Sequence, residues 1–554
     1  MMVHHRARAA VRRGVVLTAA LAAMAVAAAP AWAAAEWSMS GQSFTNWRYQ
    51  PAEKKLGPAN VGGLHQLWAT NLGGSISATP AVVDGAVYVP DWGGSISKVS
   101  AATGAIIWSK SVAALVGVTG AKSRTSPAVS GNSVIFGTQL GAYLVSLDKN
   151  TGAVQWKTQL DAHPAAIITM SPTIQAGVIY DGVASLEENM ALDPNYVCCS
   201  FRGSAVAVDL KTGAIKWKTY TTVGPPANPQ APDDRYSGAA VWGSSPAVDT
   251  KRKSVYYSTG NNYTAPFSVL ACEDQYRADH PEVPPTVPDP CETAGNGNYV
   301  DALLSLDMDT GQIKWAHKLQ GFDAWTVACI PGFQTSCPSP YGPDYDFGQG
   351  PMLIPTAAGD IVAAGQKAGV MWGLEADTGA IRWGTQGGPG STLGGMQWGS
   401  ATDGKRIYFQ VTNLNATSRT LTNPPSDSPG TSTAGLWGAI DPATGAILWQ
   451  TADPNGSIDL GAPSVANGVV YVSSMRRTLF PFGGQFLLDA TPGVHPSMLA
   501  LDAATGQRLW TFDSGLGVNA GAAIADSTLY WGSGYSVFAP FLGDFGGQLY
   551  AFGR

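Results

Sequence analysis

Charge is scarce in this 554-residue chain: Asp, Glu, Lys and Arg make up only 13% of it, and the formal net charge is -6. With so few cations and a negative balance there is no basic surface to hold a polyanion, which argues against a nucleic-acid partner. Helical periodicity is almost absent, and apolar residues alternate over short runs instead. No Cys-x-x-Cys-His occurs, so covalently attached c-type haem is excluded. Beyond residue 35 no apolar run approaches the roughly twenty residues of a membrane span. No linker of biased composition divides the chain, which weighs against a string of separate β-domains.

What the chain has in abundance is one phrase, repeated seven times. An aliphatic residue is followed, usually, by an acid, then a variable pair, then Thr-Gly, then Trp four residues after the Gly. The copies end at Trp108, Trp156, Trp217, Trp315, Trp383, Trp449 and Trp510. Length alone suggests three or four domains, but repetition at this period marks a solenoid, propeller or array. Each Thr-Gly lies between two short alternating runs and reads as a hairpin turn. Upstream sits another strand pair, as in Ala78 to Val83, the turn Asp84-Gly85, and Ala86 to Val89. Four strands per unit is the content of one propeller blade.

The chain ends supply an eighth unit. Gly546 to Phe552 resembles a third strand without its Thr-Gly-Trp continuation, and Leu64 to Trp68 an orphan fourth strand. Pairing the two closes an all-β, eight-bladed propeller of four-stranded antiparallel blades and leaves no free sheet edge. Residues 36–554 are expected to form it. The residues just before the first strand of each blade then ring one mouth of the central channel: Ser77, Arg124, Thr169, Trp242, Gln349, Gln397 and Asn519.

Residues 1–35 read differently. Arg6, Arg8, Arg12 and Arg13 precede an apolar stretch from Val15 to Ala29 and small residues at Ala31, Ala33 and Ala35, the pattern of a secretory signal peptide. Arg12-Arg13 leaves a twin-arginine route open. The mature chain is expected to be periplasmic or secreted. Its six cysteines are then free to oxidise. Cys272 and Cys291, and Cys329 and Cys337, fall in Pro/Gly-rich insertions and are expected to close loops there. Cys198 and Cys199 are adjacent, and bonding to each other would strain the chain without stapling distant segments, which suggests function. Pairing elsewhere, or remaining reduced, stays open on the residues alone.

Asn195-Tyr196-Val197-Cys198-Cys199-Ser200-Phe201-Arg202-Gly203-Ser204, Gln397 to Ala401 and Tyr530 to Tyr535 resemble the quinoprotein alcohol dehydrogenases, most of all their polyvinyl alcohol dehydrogenase branch. That family is built of eight-bladed propellers that hold pyrroloquinoline quinone (PQQ) on the axis, and the resemblance covers essentially the whole mature chain. It implies that Cys198 and Cys199 form a disulfide plate against one face of the quinone, and that Trp242, in Trp242-Gly243-Ser244-Ser245-Pro246, stacks on the other. It implies Ca²⁺, with a lanthanide as the alternative, held by Glu187 and by Asn261 of Thr259-Gly260-Asn261. Hard oxygen ligands suit such ions.

In Pro343-Asp344-Tyr345-Asp346-Phe347, an ungapped alignment puts Asp344 on the family's catalytic base and Asp346 where lanthanide-using members carry an extra ligand. A shift of two residues exchanges these roles, and Asp323 is a third candidate. Lys367 falls where the family sets a cation beside the quinone carbonyls, and Arg124 and Arg202 are candidates for the cofactor's carboxylates. The implied activity is oxidation of an alcohol, secondary or polymeric, with Asp344 as general base and the metal as Lewis acid.

Two departures qualify the match. Methanol-oxidising members place their cysteine pair one blade earlier and carry an acid near the position of Ser77. The polyvinyl alcohol branch can include a cytochrome domain, and this chain shows none, so electrons are expected to pass to a separate acceptor such as an exported cytochrome c. The competing expectation is a non-catalytic propeller of the outer-membrane assembly kind, which shares the blade repeat. Such a scaffold has no reason to assemble Glu187, Cys198-Cys199, Trp242, Asn261 and Asp344.

Overall fold

A computed structural model describes residues 1, 35–223, 235–280, 289–292, 295–333, 336–476, 495–536 and 546–554. The expected signal peptide lies outside them except for Met1 and Ala35. Met1–Ala34 separates from Ala35–Arg554 as a unit of its own, and all the blades lie in the second.

Local chemistry builds each blade. Asp84 and Gly85 both have positive φ (50° and 68°), so Ala81–Val83 turns directly into Ala86–Pro90 through a two-residue hairpin. Ser95–Ser100 and Ile106–Ser111 complete the sheet in chain order. The repeated phrase makes the outer turn. Asp148 Oδ1 accepts the backbone N–H of Asn150 and of Thr151 and the Thr151 hydroxyl. The same set recurs at Asp209, Asp307 and Asp502. The recurring acid of the phrase is therefore a turn cap that satisfies backbone donors.

Seven sheets follow this plan in order along the chain, spanning 81–111, 128–159, 166–220, 247–318, 352–386, 401–452 and 464–512. The eighth joins the chain ends as expected: Leu549–Gly553 pairs antiparallel with Thr528–Gly532 on one side and His65–Thr70 on the other. The fold is an eight-bladed β-propeller. The insertions carry most of the helix among the described residues, chiefly Phe267–Asp279, and the disulfides Cys272–Cys291 and Cys329–Cys337 close loops there.

Blades lock to each other through the repeat's tryptophan. The indole Nε1 of Trp156 donates to the Leu210 carbonyl of the next blade (3.0 Å), and that of Trp217 to Met308 (2.9 Å). The same bond recurs around the ring, ending with Trp510 on Leu64 and Trp68 on Ala101. Trp68, the orphan of the N-terminal strand, thus does the work of the missing eighth copy. Every ring but that of Trp510 also lies on the glycine of the next Thr-Gly turn. At Gly213, φ is 73° and an added Cβ would sit 2.6 Å from Trp156 Cε3. Glycine is needed there twice over, for the left-handed backbone and for the close approach.

The segment 35–53 runs around one end of the hub. It hydrogen-bonds seven blades in ring order: Trp37 to Val82, Ser38 to Val129, Phe44 to Val248, Thr45 to Leu353, Trp47 to Thr402, Arg48 to Val465 and Gln50 to Ile524. Met39 packs against the apolar cluster of the second and third blades. Arg48 is thereby carried to the axis.

Gly213→Ala is expected to lose about 3 kcal/mol, combining a left-handed alanine (~1 kcal/mol) with overpacking against Trp156 (~2 kcal/mol). Gly177→Ala, with φ 79° and no atom within 4 Å of an added Cβ, should lose only the first part. Urea-unfolding midpoints of the two variants measure the difference, and equal losses would remove the interblade contact from the explanation.

Candidate active site on the propeller axis

The first strands converge on two cavities. The larger, about 940 Å³, is walled by four indoles, Trp92, Trp242, Trp325 and Trp398. The smaller, about 40 Å³, shares Arg124, Thr169 and Trp398 with it. Six of the seven residues expected to ring the channel border one cavity or the other. Gln349 does not; its amide is buried and accepts the Ser400 hydroxyl.

The charged residues lining the large cavity are Lys122, Arg124, Glu188, Asp346 and Lys367. Lys367 Nζ lies 2.7 Å from Asp346 Oδ1 and 2.9 Å from Asp344 Oδ1. Asp346 turns its other oxygen to the indole Nε1 of Trp242 (2.7 Å). Of this pair of acids Asp346 faces the cavity, while Asp344 is buried behind it against the lysine. Asp344 has φ 60°, so the chain reverses locally and residues two apart do not share a face. Asp323 holds that segment, accepting the N–H of Asp344 (3.0 Å) and of Tyr345 (2.6 Å). It does not line the cavity.

Acids outnumber cations in this cluster. Burial pushes the Asp344 and Asp301 carboxyls well above the usual carboxylate range, and Asp323 up to about 7, each reinforced by its acidic neighbours. Burial likewise carries Glu188 to about 7, against the pull of Lys367. Burial by itself would lower Lys367, yet Asp344, Asp346 and Glu188 together hold it above the ordinary lysine value. Of these acids Glu188 and Asp346 face the cavity, and carboxylate oxygens of this kind suit a hard multivalent cation. Asn261 adds a neutral oxygen. Its amide nitrogen donates to the carbonyls of Asn262 and Trp325 (both 2.9 Å), which leaves Oδ1 for the cavity it lines.

Glu187 and Glu188 point different ways. Glu187 is fully buried and accepts from Tyr196 Oη (2.7 Å), Ser200 N (2.8 Å) and Phe201 N (2.7 Å). It ties down the loop that carries the cysteine pair, away from the cavity. Glu188 is the acid that lines it. Both sit in the short helix Glu187–Met190, where successive side chains diverge by ~100°, so a sequence match in error by one residue changes the face. Cys198 and Cys199 are bonded to each other. They pack with Trp242, Ile167, Ala184, Ala240 and Tyr263 in one apolar cluster, adjoining the cavity wall rather than forming it.

Arg124 lines both cavities, with its guanidinium 3.8 Å from the Trp398 ring. Arg202 does not reach either. Its guanidinium donates to the Thr222 carbonyl (2.7 Å) and stacks on Tyr220 at 3.9 Å. Reading the chain alone missed Glu188, Trp398 and Tyr535 as cavity residues. All three lie within or beside segments that carried the family resemblance, so position in the motif was the only signal for them. Trp398 packs edge-on against Trp242, 5.1 Å between ring centres, from a left-handed backbone (φ 61°). A bulky residue held there is stored strain at the site.

A family model described as outer membrane protein assembly factor BamB (PQQ_2) matches residues 65–256 and 234–474. The chain is 27% identical over 381 residues to a polyvinylalcohol dehydrogenase of Pseudomonas sp, covering 68% of this chain and 55% of that protein. It is 28% identical over 533 residues to a polyvinylalcohol dehydrogenase of Sphingopyxis sp. (strain 113P3), covering 91% of this chain and 73% of that one. Quinohemoprotein alcohol dehydrogenase ADHIIG from Pseudomonas putida HK5 shares the fold, with a TM-score of 0.68 at 18% identity, over 94% of this chain and 80% of its own.

Glu187→Gln is expected to release the loop it anchors. Hydrogen exchange at the Ser200 and Phe201 amides should accelerate at least tenfold, because a charge-assisted acceptor is worth about 1.5–3 kcal/mol. Unchanged protection at both amides would show that the loop is held by other contacts.

Proposed function

The chain belongs to the PQQ_2 family, and on that premise we propose that it is a quinoprotein alcohol dehydrogenase, oxidising a secondary or polymeric alcohol at the large axial cavity. The observation that carries this is the convergence of Asp346, Lys367, Trp242, Asn261 and Glu188 on one indole-walled space. An assembly scaffold, the activity named in the family description, has no use for buried acids held around a lysine inside its hub. The likeness to two polyvinylalcohol dehydrogenases supports the same class.

In this reading Glu188, Asn261 and Asp346 would hold Ca²⁺ or a lanthanide, and Trp242, Arg124 and Lys122 would hold PQQ. When bound, the quinone supplies a two-electron acceptor and the metal a Lewis acid. The protein's own residues do the rest. Asp346 is the base for the substrate hydroxyl, since it is the acid of the Asp344/Asp346 pair that faces the cavity. Trp242 Nε1 and Lys367 Nζ fix both of its oxygens, which orients the carboxylate. Asp344 acts through Lys367 as a positioning residue. Lys367 also brings a cation to where oxyanion charge develops. The bonded cysteines, packed in the cluster of Trp242, brace that wall.

At the mouth Leu192, Val327, Ile330, Pro331 and Phe333 are apolar, which favours a substrate with alkyl character and keeps water from the base. Among the described residues no helix is long and apolar enough to cross a membrane. With the export signal expected in residues 1–35, the enzyme works in the periplasm or outside the cell and passes electrons to a separate acceptor, such as a cytochrome c.

Purified protein supplied with PQQ and Ca²⁺ is expected to reduce an electron-accepting dye with secondary or polymeric alcohols. Asp346→Asn should lower turnover about 10²- to 10⁴-fold, as loss of a general base does, with Asp344→Asn much milder. The reverse ranking would return the base to Asp344. Metal binding is read separately: Tb³⁺ emission sensitised by the cavity tryptophans should be lost in Glu188→Gln and kept in Glu187→Gln. Loss in Glu187→Gln alone would put the ligand back at 187.

A further inference from the structure

Unlike the large cavity, the small chamber at the hub is lined by cations and hydroxyls without an acid. Arg48, carried in by the N-terminal segment, is only 2% exposed. Its five N–H groups meet neutral oxygens alone: the Pro463 carbonyl (2.7 Å), Ser40 O (3.0 Å) and Oγ (3.5 Å), Thr79 Oγ1 (3.1 Å) and Ser464 Oγ (3.1 Å). Among the described residues no carboxylate pairs with it, and burial draws its pKa down to about 9. A buried guanidinium without a counter-charge costs several kcal/mol in desolvation. Arg124 adds a second cation at the chamber wall, and no acid lines it.

The hydroxyls around Arg48 have a common polarity. Ser126 Oγ accepts from Thr79 N (2.9 Å), Ser171 Oγ from Ser126 N (2.9 Å), Ser244 Oγ from Gly350 N (2.7 Å) and Ser77 Oγ from Trp92 Nε1 (2.9 Å). Thr79 Oγ1 accepts from Arg48 itself. Each of these five side chains borders the chamber, and each already receives an N–H. A hydroxyl in that position has its own proton left to donate. The pattern follows from the blade repeat, where a Ser or Thr precedes the proline of the first strand at Thr79, Ser126 and Ser171. Five O–H donors and two guanidinium groups thus surround about 40 Å³, room for one or two water-sized occupants.

We infer that this chamber is a binding site for a small monovalent anion of chloride or bromide size, coordinated by the hydroxyls of Ser77, Thr79, Ser126, Ser171 and Ser244 and balanced by Arg48 and Arg124. The anion supplies the acceptor and the counter-charge that the hub lacks. The site lies beyond Trp398 from the large cavity, and the inference does not rest on the proposed activity.

Bromide is the probe. Crystals grown in gluconate and soaked in bromide should show an anomalous peak within hydrogen-bonding reach of the chamber hydroxyls. The melting temperature in bromide, compared with gluconate at equal ionic strength, should rise by about 2 to 3 °C at a hundredfold excess over the dissociation constant, given a domain of this size. Arg48→Met should abolish the halide dependence, where a merely structural arginine would lower stability equally in both salts. If Arg48→Met does not fold, Ser77→Ala keeps the test: it should weaken the bromide midpoint about fivefold, the worth of one hydrogen bond. Water without anomalous signal in the chamber, or identical melting in the two salts, overturns the inference. So does displacement of the bromide peak by a carboxylate when PQQ is added, because the site would then belong to the cofactor.

Discussion

Everything at the hub depends on the contact between each outer-strand tryptophan and the turn glycine of the following blade. Seven such contacts fix the angle between neighbouring sheets, and the indole N–H bonds of Trp510 to Leu64 and of Trp68 to Ala101 close the circle. Once that angle is repeated eight times the diameter of the axial space is set, and so is the set of residues that reach it. The glycine admits no Cβ, so the spacing cannot relax by sequence drift at that position. The chemistry at the axis is in this sense a by-product of packing some distance away from it.

Along the axis the acids drop out. Glu188 and Asp346 line the large cavity beside Lys367, whereas the small chamber holds Arg48 and Arg124 among hydroxyls whose protons remain to be donated. Trp242 and Trp398 stand between the two, edge to face. Arg124 reaches both regions. On the readings proposed here a bound cation would balance the first and a bound anion the second. A hub plugged by apolar side chains would need neither, which is the physical ground for treating the axis as functional.

How much of this the amino-acid sequence discloses varies with the kind of information. The blades are legible because the same turn recurs: an acid caps Thr-Gly, the glycine receives an indole, and even Leu64 to Trp68, stripped of its partners, keeps the tryptophan that identifies its place. The side-chain directions at the site are not legible in that way. Glu187 and Glu188 are neighbours in one helical turn, and no local rule says which faces inward. Asp344 and Asp346 would share a face in an ordinary strand, but the left-handed backbone at Asp344 breaks the alternation. Arg202 follows the cysteine pair closely, yet the next strand offers it the Thr222 carbonyl and the Tyr220 ring, and it turns away. The mutual bond of Cys198 and Cys199 was a choice between alternatives that only their surroundings resolve.

The division of labour between scaffold and insertions follows from the same geometry. Residues that hold charge at the axis sit at strand ends or in short segments braced by buried bonds, as Asp323 braces 344–345 and Glu187 braces 200–201. The apolar mouth is made instead by insertions, among them 327–333, whose loop is clipped by Cys329–Cys337. A loop of that kind can change length and side chains without disturbing the interblade contacts, because none of its residues enters the Trp-Gly ring. Asp344 and Asp346 share the 319–351 connection with that mouth, and Glu188 lies in the connection 186–203. The repeat therefore fixes where these connections begin and end, and the braces at Asp323 and Glu187 fix what they carry to the axis.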